Sequence, residues 1–217
     1  MAETGLDPIE SDCQSVGLNW KECPAVALFP QLTSPFQVGS KQLRNRVTVT
    51  AHNLNWDHDG RLTKEYVDYL ARRAEGGVGL LICFGAASVH AQAGAIHGRV
   101  SLWDPENEPL LTQLAAATHR HGAVIMSQAN HVGRRGSSVT TEQPLLAPSQ
   151  VPEPARREVP HELTVAEIDG IVASFADAAV RLHRCGWDGV EITSFGGQLI
   201  EQFWSPGGQP ARRRVRQ

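Results

Sequence analysis

Four short apolar runs punctuate the chain, and each is followed by a stretch in which hydrophobic residues return at helical spacing. The first run, Val47-Thr48-Val49-Thr50-Ala51, is β-branched and reads as a strand. Thr63 can cap a helix through Glu75, with Tyr66, Val67, Leu70 and Ala74 on one face and Gly76 at its left-handed C-terminal position. Val78 to Phe84 is continuously apolar, as expected of a parallel strand covered on both faces. A connection from Gly85 to Trp103 follows, and Asp104-Pro105 opens a second helix with Leu110, Leu111, Leu114, Ala117 and Thr118 inward. Gly122 closes it before the strand Ala123 to Ser127. A long, polar, Pro-rich loop is expected from Gln128 to Glu162. Thr164-Val165-Ala166-Glu167 is a capping box, and Ile168, Ile171, Val172, Phe175, Ala179 and Leu182 keep helical spacing after it. Gly186 ends that helix, Gly189 to Thr193 is the fourth strand, and Leu199 to Trp204 begins a further helix.

The order is therefore β-α-β-α-β-α-β, which means parallel strands with right-handed crossovers. An open doubly wound sheet and a (β/α)8 barrel both satisfy it. The open sheet usually carries a Gly-rich phosphate turn after its first strand. Here that strand runs into His52-Asn53-Leu54-Asn55, and no such glycine pattern or P-loop occurs. The barrel is favoured, represented by about its first four β/α units, since a whole one takes about 250 residues. Residues 1–27 lack periodicity and read as a mobile extension.

Composition narrows the class without naming a function. The 217 residues are 41% hydrophobic and 20% charged, an ordinary globular balance that excludes collagen, coiled coil and wholesale disorder. A formal charge of -3 gives no basic excess for a nucleic-acid partner. No apolar run approaches the ~20 residues of a membrane span, and the polar, acidic N-terminus is no secretory signal. The four cysteines form no C-x-x-C pair, so a reducing cytoplasm is expected. Of them, Cys83 and Cys185 are expected to be buried and inert.

In a barrel the chemistry sits at the carboxyl ends of the strands. Those ends carry Thr50, Ala51 and His52; then Phe84, Gly85 and Ala86; then Gln128 through His131, Gly133 and Arg134; then Thr193, Ser194, Phe195, Gly196, Gly197 and Gln198. Each has a plain reading as well. His131 is equally a loop histidine held by backbone, Arg134 a phosphate contact or, more readily, a loop cap, and Glu191 a packing or ion-pair residue inside its strand. His119 and His121 face different ways and read as solvated, near a helix C-terminus that favours positive charge.

These residues, with their flanks, resemble the flavin-dependent old yellow enzyme family, the NADH:flavin oxidoreductases, over roughly residues 28–206. The matching segments are Leu28-Phe29-Pro30, Leu43 to Val47, Asp59 to Thr63, Gly76 to Leu80, Gln128 with His131 to Arg134, Ala147-Pro148-Ser149, Gly186 to Ile192, and Gln202 to Pro206. The branch with dienoyl-CoA reductases and trimethylamine dehydrogenase looks closest. The resemblance implies a truncated (β/α)8 TIM barrel with FMN at its mouth. Hydride would pass from NADH or NADPH through the flavin to an activated alkene or related small molecule. It places Gln128 on the flavin pyrimidine edge, with Thr50, Ala51 and Gly85 beside the ring. His131, Arg134 and Gly196 fall at substrate positions. Thr193 and Gln198, with Gly196, stand where the family commonly carries His, Tyr or Asn, so general-acid chemistry is not expected of them.

After Pro206 the sequence leaves the family pattern for a basic tail, 207–217, whose arginines give a lesser reading as an interaction module. Truncation or a reading-frame change near residue 207 is the expectation. The alternative function is a non-catalytic remnant or assembly partner that binds flavin weakly or not at all. A homo-oligomer that closes the half-barrel is the expected assembly.

Overall fold

The computed structural model describes residues 29–93 and 98–208. The extension at 1–27, the tail from residue 209, Cys13 and Cys23 lie outside the described residues.

A short helix α1 (Pro30–Thr33) leads into an antiparallel hairpin of β1 (Phe36–Val38) and β2 (Lys41–Leu43). The alternating core follows: β3 (Thr48–Val49), α2 (Lys64–Glu75), β4 (Leu80–Ser88), α3 (Glu108–Arg120) and β5 (Val124–Asn130). After two small elements, α4 (Ser138–Thr141) and the parallel pair β6 (Leu146–Ala147) and β7 (His161–Glu162), come α5 (Val165–Arg184), β8 (Gly189–Ile192) and α6 (Leu199–Trp204). The strands β3, β4, β5 and β8 form one parallel sheet in that order. Every long crossover expected from the hydrophobic pattern is present.

The sheet sorts its side chains by the two-residue period of a strand. Leu81, Cys83, Ile125 and Ala129 join Tyr66 and Leu70 of α2, Leu111 and Leu114 of α3, and Leu182 of α5. Leu80 and Val124, with Ile82 and Met126, face the other way and pack on Leu43 and Val38 of the hairpin. Cys83 and Cys185 are both buried, and desolvation pushes the Cys83 thiol far up.

Several boundaries differ from the sequence reading. β4 runs on through Gly85 to Ser88, and β5 reaches Asn130, so Gln128 belongs to a strand. Gly76 keeps a right-handed φ of -66°, and Gly77, at +101°, takes the left-handed position after α2. Asp104 caps a 3-10 turn, Pro105–Asn107, ahead of α3. The 131–162 connection is not structureless. Its Leu146 packs with Leu163, Ile171 of α5 and Leu199 of α6, so the loop carries its own apolar anchor. Among the described residues no helix is long and apolar enough to cross a membrane.

Asp188, just before β8, ties the amino-terminal end of the sheet together. Its N–H donates to the Ile125 carbonyl (3.0 Å), and its carboxylate accepts from the Ile125 N–H (2.9 Å). The same carboxylate meets Lys41 Nζ at 2.7 Å and His119 Nε2 at 2.8 Å. His119 is thus exposed, as expected, and also hydrogen-bonded to a carboxylate that the sequence reading did not foresee. Burial alone would raise the Asp188 pKa; Lys41, the Ile125 N–H and His119 outweigh it, so the carboxyl is held below its ordinary value. A depressed carboxyl contributes stability above its unfolded pKa and loses it as pH falls through the folded one. Asp188→Asn is expected to cost about 2 kcal/mol in urea unfolding at neutral pH, and the gap from wild type should shrink as pH falls below about 4.

Candidate active site at the carboxyl rim

All four sheet strands point their carboxyl ends to one side, because all four are parallel. At that side β4 does not pair regularly with β5. Cys83 aligns with Ser127 and Ala87 with Ala129, so Phe84, Gly85 and Ala86 stand opposite Gln128 alone. Phe84 (φ 58°) and Ala86 (φ 68°) are left-handed, a costly conformation for residues with a Cβ. Gly85 is required at the apex. A Cβ there would lie 2.6 Å from the Asn53 nitrogen and 2.8 Å from the His52 carbonyl carbon. The close approach at Gly85 is thus to the chain leaving β3, which carries Thr50 and Ala51 into the rim.

Gln128 is 9% exposed. By strand alternation it shares the face of Met126, and its Nε2 donates to Glu191 Oε1 of β8 at 2.6 Å. Gln128 and Glu191 are register partners, so the contact follows from strand pairing. Thr193 is 3% exposed, with its N–H on the Ala129 carbonyl and its hydroxyl without a hydrogen-bond partner. Gln198 Oε1 is likewise buried and unpartnered.

His131 is enclosed. Its Nδ1 accepts from the Gly133 N–H (3.1 Å), which assigns the proton to Nε2, and Nε2 has no partner. Its ring stacks on His90 with centroids 6.2 Å apart. Burial, and then His90, push the His131 pKa down to about 3, so the ring is neutral at ordinary pH. Arg134 Nη1 donates to the Val151 carbonyl at 3.3 Å, and Arg135 holds the Gly196 carbonyl. Gln128 thus sits on β5 and Thr193 just past β8, the adjacent strand, while in the loops above it is Arg135, next to Arg134, that meets Gly196, and His131 keeps to Gly133 and His90.

Two further residues matter. Glu191 is Gln128's partner, and the period-2 pattern already put both on the same kind of position. Gln202 on α6 is 1% exposed and donates to the carbonyls of Val132 (3.0 Å) and Gly197 (2.7 Å), while its Oε1 accepts from the Arg134 N–H (3.3 Å). Its sequence signal is a polar residue three positions after the buried Leu199, on the inner side of a short helix. Gly133 (φ +62°) makes room for it, since a Cβ there would lie 2.4 Å from Gln202 Oε1.

This arrangement has known counterparts. Residues 31–210 match the model of the NADH:flavin oxidoreductase / NADH oxidase family. The chain belongs to that family. It is 41% identical over 175 residues to a metal reductase of Desulforamulus reducens, covering 81% of this chain and 26% of that protein. To an NADH oxidase of Thermoanaerobacter brockii it is 37% identical over 181 residues, 82% of this chain and 28% of the relative. A Geobacillus NADPH dehydrogenase is 32% identical over 198 residues, 84% and 56% of the two chains. Among solved structures, morphinone reductase in complex with tetrahydroNAD superimposes with a TM-score of 0.79 at 27% identity, over 86% of this chain and 55% of that one. The chain thus spans between about a quarter and about half of the relatives it matches. Its parallel sheet is part of an old-yellow-enzyme-type (β/α)8 barrel.

Two outcomes check the rim. Gln202→Ala removes three buried hydrogen bonds and is expected to cost about 2 kcal/mol, with faster amide exchange at Gly196 and Gly197. His131 gains a proton near pH 6.5 when unfolded but only near 3 when folded, so it lowers stability as pH falls between those values. His131→Gln should flatten the acid limb of the stability curve by up to about 1.4 kcal/mol per pH unit.

Proposed function

We propose that this rim holds FMN and serves hydride transfer from NADH or NADPH to a small-molecule acceptor, an activated alkene or a related compound. The observation that carries the reading is Gln128. It is a nearly buried amide at the end of a parallel strand, facing a strained backbone bulge, with its Oε1 free of protein partners among the bonds observed. A flavin pyrimidine edge alternates acceptor, donor and acceptor, and an amide offers the complement. Thr50 and Ala51, which follow β3, are small enough to lie beside a flat ring, and Gly85 keeps the β4 bulge close to that strand. When bound, FMN supplies the redox chemistry; the chain supplies binding, orientation and shielding from water.

The remaining residues fit positioning better than proton delivery. Thr193 presents a buried hydroxyl and Gln198 a buried amide oxygen, and neither is an acid near neutral pH. His131 offers an Nε2–H from a neutral ring, a hydrogen-bond donor for an acceptor's polar group. Arg134, anchored on Val151, keeps its backbone N–H on Gln202 and so holds the loop that carries His131. A second reading is an assembly partner with little or no turnover. Its support is the substituted acid positions, together with exposed Ile192 at the end of β8 and exposed Phe195 and Trp204 in the segment that follows it. Both readings include association with a second copy along that apolar surface.

Purified chain, supplied with FMN, is expected to bind about one flavin, show flavin absorbance and bleach on addition of NADH or NADPH. Gln128→Ala should weaken FMN binding by about tenfold or more. A chain that stays colourless with excess FMN overturns the cofactor reading. Light scattering should give a dimer mass, and Phe195→Asp should shift it to monomer.

A further inference from the structure

Gln128 must present its oxygen rather than its nitrogen to an N–H on a ligand. An amide is nearly symmetric in shape, and rotation of its terminal torsion by about 180° exchanges donor for acceptor at little steric cost. Something must break that symmetry. A carboxylate does, because when ionised it only accepts hydrogen bonds. Glu191 Oε1 lies 2.6 Å from Gln128 Nε2. The reversed amide would set two acceptor oxygens against each other at the same distance, one of them charged. The carboxylate is itself placed by the sheet, as the register partner of Gln128 on an adjacent parallel strand. Among the described residues no other side chain makes a hydrogen bond or ion pair with either group.

We infer that Glu191 is a positioning residue whose carboxylate fixes the sense of the Gln128 amide, so that Oε1 and the second N–H face the ligand. This rests on the flavin reading for the identity of that ligand. The inference about the amide itself does not need flavin. With Oε1 fixed outward, the site selects an edge that offers an N–H opposite it, which in a flavin is N3–H. It also gives Glu191 a role distinct from general base: the carboxylate works through Gln128 and need not touch the reacting atoms.

The test uses two variants and two readouts. Glu191→Gln keeps volume and hydrogen bonding but offers donor and acceptor alike, so it no longer dictates the sense; Glu191→Ala removes the partner. The first readout is the Gln128 side-chain amide in 15N-labelled chain without flavin, assigned by its loss in Gln128→Ala. One wild-type Nε2 proton is expected well downfield of ordinary glutamine, moving back in both Glu191 variants. The second readout is the ratio of dissociation constants for 3-methyl-FMN, which lacks the N3 hydrogen, and FMN. Wild type should discriminate about tenfold, the size of one hydrogen bond, and Glu191→Gln less than about threefold. An ordinary wild-type amide shift, or discrimination unchanged in Glu191→Gln, overturns the inference. A downfield amide in a chain that binds no flavin overturns the cofactor reading and leaves the carboxylate's hold on Gln128 standing.

Discussion

The site depends on a pair of hydrogen bonds at the opposite end of the sheet. Asp188 gives its N–H to the Ile125 carbonyl and takes the Ile125 N–H on its carboxylate. That reciprocal pair pins β8 to one register on β5, and Met126 then meets Gly189, Ser127 meets Val190, and Gln128 meets Glu191. In a strand, a one-residue slip sends every side chain to the other face. Such a slip would turn Glu191 toward the helices and Val190 toward Gln128. Lys41 and His119 hold the same carboxylate from the hairpin and from α3, so the register is fixed by three elements at once.

The strain opposite Gln128 is held by the core that surrounds it. Left-handed backbone at Phe84 and Ala86 costs on the order of 1–3 kcal/mol per residue. The Phe84 ring lies edge-on to Tyr66 of α2 (5.4 Å between centroids) and 5.5 Å from Trp187, whose indole N–H reaches the Leu111 carbonyl. Burying these three rings offsets the backbone cost. The Arg99 guanidinium also takes the Ala86 carbonyl, at 3.1 Å, a main-chain group that the irregular pairing frees from the sheet. The bulge is therefore a maintained feature, held at the rim by its surrounding core and by the chain that leaves β3.

Features with a local cause could be read from the sequence. Thr63 accepts from the Tyr66 N–H, and Thr164 with Glu167 forms the expected capping box, because both motifs act within four residues. The four strands and three long crossovers followed from apolar runs, helical spacing, caps and closing glycines, all of them local signals. Features with a distant cause could not. β4 runs past Gly85 because Ala87 and Ser88 rejoin β5 after the bulge and Val100 and Ser101 reach across to Ser88, pairings no local pattern encodes. His119 is exposed as its pattern implied, but its carboxylate partner, 69 residues away, left no local trace. Gln202 looked like one more motif residue until Val132, Gly197 and Arg134 closed around it. At the site, Gln128 stood out as a polar strand end, but its orientation depended on a carboxylate 63 residues on.

The two ends of the sheet are built to different ends. The amino-terminal side is covered by the hairpin and carries the Asp188 cluster, where each charge has a partner. The carboxyl side gathers buried polar atoms that the described residues do not satisfy: both side-chain heteroatoms of Asn130, His131 Nε2, Thr193 Oγ1 and Gln198 Oε1. Each such atom costs about 1–3 kcal/mol relative to a paired one. Asn130 follows the alternation that puts Gln128 on the inner face, and Thr193 continues β8 beside it, so this group of unsatisfied atoms borders the proposed cofactor face, while others, such as Thr118 Oγ1 and Ser127 Oγ, lie on the helix side of the sheet. A rim of this kind is stable only because the hairpin, the helices and the register clasp supply the folding free energy elsewhere. That division lets the polar groups at the mouth be chosen for what they bind.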